Sequence, residues 1–191
     1  MFDIGSYEVS IKTPAEDQAT AVLAIATAVD MPMDWSCPWQ DIWNASKREG
    51  FCIAKLASNQ QLWGLIQYAV FPKKEDPVFL FIDHLETNPI DRGRAENRLA
   101  YPVGKWLIWY CVKVALEYCS GEDDKLVYLL SKPTALDYYH NKIQMEWVET
   151  IDLNPGEKVD AFKFTRESAR TYLRQQEKRF GSPRRINPRA S

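Results

Sequence analysis

A strand, a basic loop and a helix in the middle of the chain constrain the fold most. Residues 78–85 are nearly continuous in apolar side chains, which is typical of a central strand that is buried on both faces. Residues 103–119 are largely apolar, with the polar residues Lys105, Lys113 and Glu117 on one narrow stripe, and they predict a long buried helix. A buried strand that leads into a buried helix predicts an α/β domain.

The loop before this helix contains Arg98 and Gly104. A helix N-terminus presents unpaired N–H groups and a partial positive charge, and glycine allows a ligand to approach the backbone closely. The segment therefore predicts a phosphate site. The alternative is a helix N-terminus that merely carries a surface arginine.

Start and stop signals place the other elements. Thr13 and Glu16 form a capping box with Pro14 at the first helical position, and they predict a helix that continues to about Val29. A second helix is predicted from about Pro38 to Gly50. The remaining predictions are strands at 7–12, 51–57, 62–71, 125–130, 146–153 and 159–164, and helices at 134–143 and 167–180.

This order, β-α-α-β-β-β-α-β-α-β-β-α, contains no internal repeat or linker. It predicts one α/β domain with a mixed, mostly antiparallel central sheet of about seven strands and helices on both faces. Residues 1–180 form the domain in this interpretation, and residues 181–191 form a basic, flexible tail.

Several classes of protein are disfavoured by composition. The sequence contains no run of about 18 apolar residues, so we expect no membrane span. The N-terminal residues lack the basic and apolar regions of a secretory signal. The four cysteines have no C-x-x-C spacing and the chain has two histidines, so we expect no metal site. A cytoplasmic protein with reduced thiols is the resulting expectation.

Charge is unevenly distributed, because residues 163–191 hold nine Lys or Arg against Glu167 and Glu177. Such a segment can bind nucleic acid. We favour a solvated helix face and a frayed terminus, since the segment has no base-stacking pattern.

Three local patches, at 79–89, 98–107 and 135–142, together with the element order resemble the GCN5-related N-acetyltransferase (GNAT) superfamily over residues 7–164. The second is similar to the R/Q-x-x-G-x-G/A loop of that family, and the third to its A-x-x-F-Y patch. The resemblance implies a single-domain GNAT-like fold and transfer of an acetyl group from acetyl-CoA to a primary amine by direct attack.

The resemblance also implies roles for residues. Tyr139 would protonate the departing thiolate, which is feasible because a phenol of pKa about 10 can donate to a thiolate of pKa about 8.5. The proton of the amine would go to Asp83, His84 or Glu86. Strand alternation predicts that His84 shares a face with Leu80 and Ile82. The cofactor would contact the strand end and the loop at Leu85, Thr87, Arg98, Leu99, Ala100, Tyr101, Val103, Gly104 and Lys105.

Some residues depart from the family pattern. Pro102 stands where the family has its first loop glycine, and proline has no N–H to donate; the glycine that follows the tyrosine patch is also missing. A catalytically inactive GNAT-fold module that binds CoA or another protein therefore stays an alternative.

The tryptophans at 35, 39 and 43 recur every four residues. We interpret them, with Tyr138, as core residues. The tryptophan stripe with Asp30 and Asp34 would otherwise suit a cationic or aromatic amine acceptor. A homodimer formed through residues 103–119 and the last strands is a further alternative.

Overall fold

The structure, a computed structural model, describes residues 2–13, 16, 18–73, 76–91, 99–120 and 124–186. Its helices are α1 (Trp39–Glu49), α2 (Val103–Tyr118) and α3 (Arg166–Phe180), with short helical turns at Ala28–Asp30, Pro89–Asp91, Pro133–Ala135 and Tyr138–Ile143. Its strands are β1 (Ser6–Ile11), β2 (Ala19–Ile25), β3 (Cys52–Ser58), β4 (Gln61–Phe71), β5 (Phe79–Thr87), β6 (Val127–Ser131), β7 (Glu146–Asn154), β8 (Glu157–Phe164) and β9 (Arg184–Ile186).

The strands form a single sheet in the order β7-β8-β6-β5-β4-β3-β2-β1-β9. The neighbours β5 and β6 are parallel, whereas the other neighbouring strands are antiparallel. The predicted mixed, mostly antiparallel sheet is therefore confirmed. Nine strands are present in the described part of the chain, against the seven or so that we predicted, and the two additional strands are β2 and β9.

The helix predicted from the capping box is wrong, because residues 19–25 form β2. Ala19, Ala21 and Leu23 are buried and alternate with exposed residues, a period of two that the helical spacing of the same apolar residues obscured. Thr13 and Glu16 exchange backbone hydrogen bonds of 2.8 and 3.2 Å. The predicted capping box is thus a turn in the connection between β1 and β2.

Part of the segment predicted to be a flexible tail is a strand. Residues 184–186 pair with β1, and Arg184 forms an ion pair with Glu8. Other basic residues of the C-terminal region also have partners inside the chain: Lys163 bonds Asp124 at 2.8 Å, and Arg166 donates to the carbonyl of Cys119 at 2.7 Å. These contacts support a structural role for Lys163, Arg166 and Arg184.

Helices cover both faces of the sheet, as predicted. Helix α2 lies between one face and α3, and the residues of its first ten positions are buried. Trp106 donates its indole N–H to Ser10 at 2.8 Å, and Tyr172 of α3 donates to the carbonyl of Lys105 at 2.9 Å. The apolar surface of α2 is thus used within the chain and is not available for the predicted dimer contact.

Helix α1 covers the opposite face with a smaller apolar cluster around Trp39, Ile42, Ile53 and Leu65. Gly50 ends this helix in the left-handed conformation, as the sequence predicted. The tryptophan stripe belongs to this cluster, with Trp39 fully buried. Within the described segments, no helix has both the length and the apolar character needed to cross a lipid bilayer.

Gly64 in β4 lies under the first two turns of α2. A Cβ atom there would be 2.8 Å from Val103 Cγ1 and Leu107 Cδ1, and 3.2 Å from the carbonyl oxygen of Glu86. We expect Gly64→Ala to lower the free energy of unfolding by about 1–3 kcal/mol, as overpacking of a core does, in urea denaturation. Gly104→Ala is the control, because its closest contact is the end of one side chain; equal losses in both variants would contradict this account.

Candidate active site

The strands β5 and β6 separate towards their carboxyl ends. Residues 80–82 pair with residues 127–129, but β5 continues to Thr87 and β6 to Ser131. Beyond Ile82 no described strand pairs with β5 on this side. The backbone groups of an unpaired strand segment can bond an extended, amide-containing ligand.

A β-bulge lies at this point of separation. Gln67 of β4 is opposite His84 and Tyr68 is opposite Ile82, so Asp83 is an extra residue in β5. One extra residue reverses the alternation of side chains along a strand. The prediction that His84 shares the face of Leu80 and Ile82 is therefore wrong.

After the bulge, side chains are distributed to both faces of β5. His84 and Glu86 contact residues of α1 and of the segment that precedes it. Leu85 packs in the cluster under α2, and Thr87 lies opposite Gly64 at the end of the strand. The predicted base and the predicted cofactor contacts thus lie on opposite faces of one strand segment.

His84 is held by its Nδ1 atom. This nitrogen is 2.9 Å from Oε1 of Gln67 and 3.2 Å from Oδ2 of Asp83. The ring packs edge-on against Trp39 at 6.3 Å between centroids, and 38% of the side chain is exposed. The imidazole is therefore fixed in orientation and still reachable by a ligand, as a general base must be.

Glu86 has a structural environment. Its carboxylate accepts hydrogen bonds from the backbone N–H groups of Ser36 and Cys37 at 2.9 and 3.0 Å, and from the Trp39 indole at 2.8 Å. Burial raises the pKa of Glu86, but the bonds from Cys37, Trp39 and Ser36 outweigh it and the pKa is lowered. A carboxylate satisfied in this way anchors the segment before α1 and is poorly suited to accept a proton.

The loop before α2 offers fewer phosphate donors than predicted. The backbone of Tyr101 exchanges hydrogen bonds with Lys12 at 2.8 and 3.0 Å, and Pro102 has no N–H. Ala100 is buried and Leu99 half-buried, whereas Arg98 lies outside the described residues. The N–H groups suited to an anion are those of the first turn, residues 103–105, for which the described residues provide no side-chain cap.

Cations converge at this helix N-terminus. Lys105 is 8% exposed, and burial lowers its pKa, as do the nearby cations Arg179 and Lys142. Both neighbours are exposed. Lys105 lies in this first turn and the charges of Arg179 and Lys142 act on it, so the start of α2 suits a phosphate group. Lys142 and Arg179 could not be recognised from the sequence, because only the fold brings α3 and the turn at Tyr138–Ile143 to α2.

The two adjacent tyrosines have different environments. Tyr139 is buried in the core, its ring 5.5 Å from that of Phe162, and burial raises its pKa to about 12. Tyr138 reaches α2, where its hydroxyl oxygen would be 2.6 Å from a Cβ atom at Gly104, with Leu85 beside it. Tyr138 packs against the core, as predicted, and its hydroxyl lies at the start of α2; the role of Tyr139 as proton donor stays a prediction.

The described residues contain no group of three or more His, Cys, Asp or Glu that would hold a metal ion. The site instead combines an oriented imidazole on one face of β5, the strand edge beyond its pairing with β6 in the middle, and a cationic helix N-terminus with a phenol on the other face. Such an arrangement can remove a proton from one ligand while it holds an anionic second ligand.

No family model and no curated protein matches the sequence. Solved structures do match it. An aminoglycoside acetyltransferase, AAC(6')-Ib in complex with coenzyme A and kanamycin, is 15% identical with a TM-score of 0.56, over 79% of this chain and 98% of that one.

Two structures of proteins from Bacillus species are also similar to this chain. An uncharacterized protein from Bacillus halodurans is 9% identical with a TM-score of 0.62, over 93% of this chain and 98% of that one. A GNAT-family acetyltransferase from Bacillus cereus is 11% identical with a TM-score of 0.54, over 77% and 98%. The separated strands, the bulge and these similarities together show that this chain has the fold of the GNAT acetyltransferases.

Proposed function

We propose that the protein is an acetyl-CoA-dependent N-acetyltransferase that transfers the acetyl group to a primary amine by direct attack. The observation that carries the proposal is the oriented imidazole of His84 beside the opening between β5 and β6, with the cationic start of α2 across the strand. The presence of coenzyme A in the similar AAC(6')-Ib structure supports the choice of cofactor.

The residues of the site suit the chemical groups of acetyl-CoA. The cofactor supplies the acetyl group as a thioester. The edge of β5 beyond its pairing with β6 would bond the amides of the pantetheine arm, and the first turn of α2 would bind the pyrophosphate with Lys105 and the exposed Lys142 and Arg179. The missing donors at Tyr101 and Pro102 are offset by these cations.

Two proton positions follow from the same geometry. His84 would take the proton of the attacking amine at Nε2, since its Nδ1 is bonded to Gln67 Oε1 and lies 3.2 Å from the carboxylate of Asp83. The hydroxyl of Tyr138 would give a proton to the departing sulfur, because it lies beside Leu85 and Gly104. Tyr139 would support Tyr138 by packing against it at 5.2 Å between ring centroids.

Calorimetric titration with acetyl-CoA tests the cofactor site. We expect Lys105→Met to raise Kd by about 10- to 100-fold, since hydrogen bonds to charged groups contribute about 1.5–3 kcal/mol. Lys113→Met, two turns further along the same helix, is the matched control and should leave Kd unchanged. Absence of binding to the folded wild-type protein at millimolar acetyl-CoA would overturn the proposal, and binding without turnover of any amine would favour the inactive CoA-binding module.

A pair of tyrosine variants tests the proton donor. We expect Tyr138→Phe to lower kcat by about 10- to 100-fold with little change in stability, because it removes a general acid. Tyr139→Phe should leave kcat within about twofold, since its hydroxyl lies in the core. Initial rates of CoA release and thermal denaturation measure both effects, and a larger loss of kcat in Tyr139→Phe than in Tyr138→Phe would make Tyr139 the proton donor.

The residues between β2 and α1, on the face of His84, indicate which class of amine the site would accept. Asp30 is bonded to Lys55 at 2.6 Å and Glu86 is satisfied by three donors. The stretch before α1 that Glu86 anchors also carries two exposed apolar residues, Val29 and Met33. Asp34 is the exposed carboxylate of this segment. We therefore propose an acceptor with a single amine on a largely apolar molecule, in contrast to the kanamycin that is bound in the similar structure. A panel of arylalkylamines and aminoglycosides tests this, and faster turnover of aminoglycosides would contradict it.

A further inference from the structure

We infer that Gln67, fixed by Ser46, is a positioning residue that sets the tautomer of His84, so that neutral His84 carries its proton on Nδ1 and presents Nε2 as the basic nitrogen. The role of Nε2 in acetyl transfer rests on the proposed function, but the tautomer itself does not. The inference follows from a chain of three hydrogen bonds that begins in helix α1.

The first bond fixes the direction of the others. The hydroxyl of Ser46 donates to the carbonyl oxygen of Ile42, one turn earlier in α1, at 2.6 Å. A serine hydroxyl has one proton, so Ser46 Oγ can only accept from its other neighbour. That neighbour is Nε2 of Gln67 at 2.7 Å.

The amide of Gln67 is therefore oriented. With Nε2 turned to Ser46, Oε1 faces His84 Nδ1 at 2.9 Å. A flipped amide would place Oε1 against Ser46 Oγ, whose proton is already donated to Ile42, and would set two acceptors 2.7 Å apart. An oxygen that can only accept requires Nδ1 to donate.

Burial makes these three hydrogen bonds difficult to rearrange. Gln67 is 4% exposed and Ser46 is 3% exposed, and both lie on the sheet face that the cluster around Ile53 and Leu65 covers. Buried polar groups without partners are costly. The alternative orientation of Gln67 would leave an amide and a hydroxyl mispaired in this apolar surrounding.

The charged groups near His84 also favour the form with the proton on Nδ1. Asp83 Oδ2 is 3.2 Å from the same Nδ1 atom, and its negative charge favours a proton on that nitrogen. Glu86, on the same face, is already engaged with Ser36, Cys37 and Trp39. Trp39 contributes a ring edge and no titratable group. Gln67 is thus the buried partner of Nδ1 and Asp83 the exposed one.

Nitrogen NMR of the ring atoms tests the tautomer without any substrate. The chain has two histidines, so a protein labelled with ¹⁵N-histidine gives two ring patterns, and His140→Gln identifies that of His84. We expect neutral His84 in the wild-type protein to show a protonated Nδ1 and an unprotonated Nε2, with exposed His140 as the internal reference. A protonated Nε2 in neutral His84 would overturn the inference.

Variants then show which residue sets the tautomer. Ser46→Ala removes the acceptor of Gln67 Nε2 and frees the amide to flip, so we expect a mixture of the two forms. Gln67→Glu, with the proton of its buried carboxyl group on the oxygen that faces Ser46, keeps an acceptor at Nδ1 and should retain the Nδ1–H form. An unchanged tautomer in folded Ser46→Ala would show that Asp83 alone is sufficient and would overturn the role of Gln67.

Kinetics separate this inference from the proposed function. We expect Ser46→Ala to lower kcat about three- to tenfold without changing the KM for acetyl-CoA, and Gln67→Glu to restore most of the rate relative to Gln67→Met. A correct tautomer in a protein that turns over no amine would contradict the proposed function alone. A protonated Nε2 in an active enzyme would contradict this inference alone.

Discussion

Replacing His84 with glutamine is expected to lower kcat at neutral pH by about 100- to 10,000-fold, the range that a general base contributes. Glutamine has nearly the length of histidine and can bond Gln67, but it has no basic nitrogen for the amine proton. The initial rate of CoA release with a reactive arylalkylamine measures the loss. The loss should shrink for amines that are already unprotonated at the assay pH.

Stability and cofactor binding are the controls for this variant. Since 38% of the His84 side chain is exposed, we expect the melting temperature to change by only about 1–3 °C, and Kd for acetyl-CoA to stay within about twofold. Asp83→Asn should lower kcat less than His84→Gln. Full activity of the folded His84→Gln variant would contradict the proposal that His84 is the general base.

Glu86→Ala should give the largest loss of stability among the site variants. It leaves the N–H groups of Ser36, Cys37 and the Trp39 indole without their acceptor, and unpaired buried donors cost about 1–3 kcal/mol each. With partial access to water, we expect a total of about 2–4 kcal/mol, or roughly 5–15 °C in the melting temperature. The KM for the amine should rise with it, because these bonds hold the segment that borders the acceptor side.

The same carboxylate gives stability a dependence on pH. The folded pKa of Glu86 is lowered from the ordinary value of 4.5, so its contribution is fully present above about pH 4.5 and is lost as pH falls through the folded pKa. Glu86→Gln, which keeps the shape but does not titrate, should flatten this part of the stability curve between pH 5 and pH 3, as urea denaturation would show. An unchanged slope would mean that other acids, such as Asp30, carry the dependence.

The sequence predicted those elements whose signals are local and strong. Gly50 stops α1, the continuous apolar run predicts β5, and the apolar residues 103–119 predict α2. Each of these depends on side chains close in sequence, and a buried strand followed by a buried helix has few ways to pack. His84 and the start of α2 were accordingly recognised as site candidates.

Other features depend on partners that a sequence does not show. The apolar residues of 19–25 fit both a helix and a strand, and pairing with β1 and β3 decides for the strand. The bulge at Asp83 changes no residue type, so strand alternation placed His84 on the wrong face. Gln67, Ser46, Lys142 and Arg179 come from four different elements, and only the folded chain brings them to the site.

The extra residue at Asp83 also has a consequence for how such a site can change over time. A one-codon deletion that removes Asp83 would leave β5 in the sheet but move each following side chain to the opposite face. The imidazole of His84 and the carboxylate of Glu86 would then point to the proposed cofactor face, and Leu85 to the proposed acceptor face. A point substitution cannot have this effect, because it leaves the number of residues in the strand unchanged. The face on which His84 and Glu86 lie therefore depends on the number of residues in β5, and the proposed separation of cofactor and acceptor depends on the single position of Asp83.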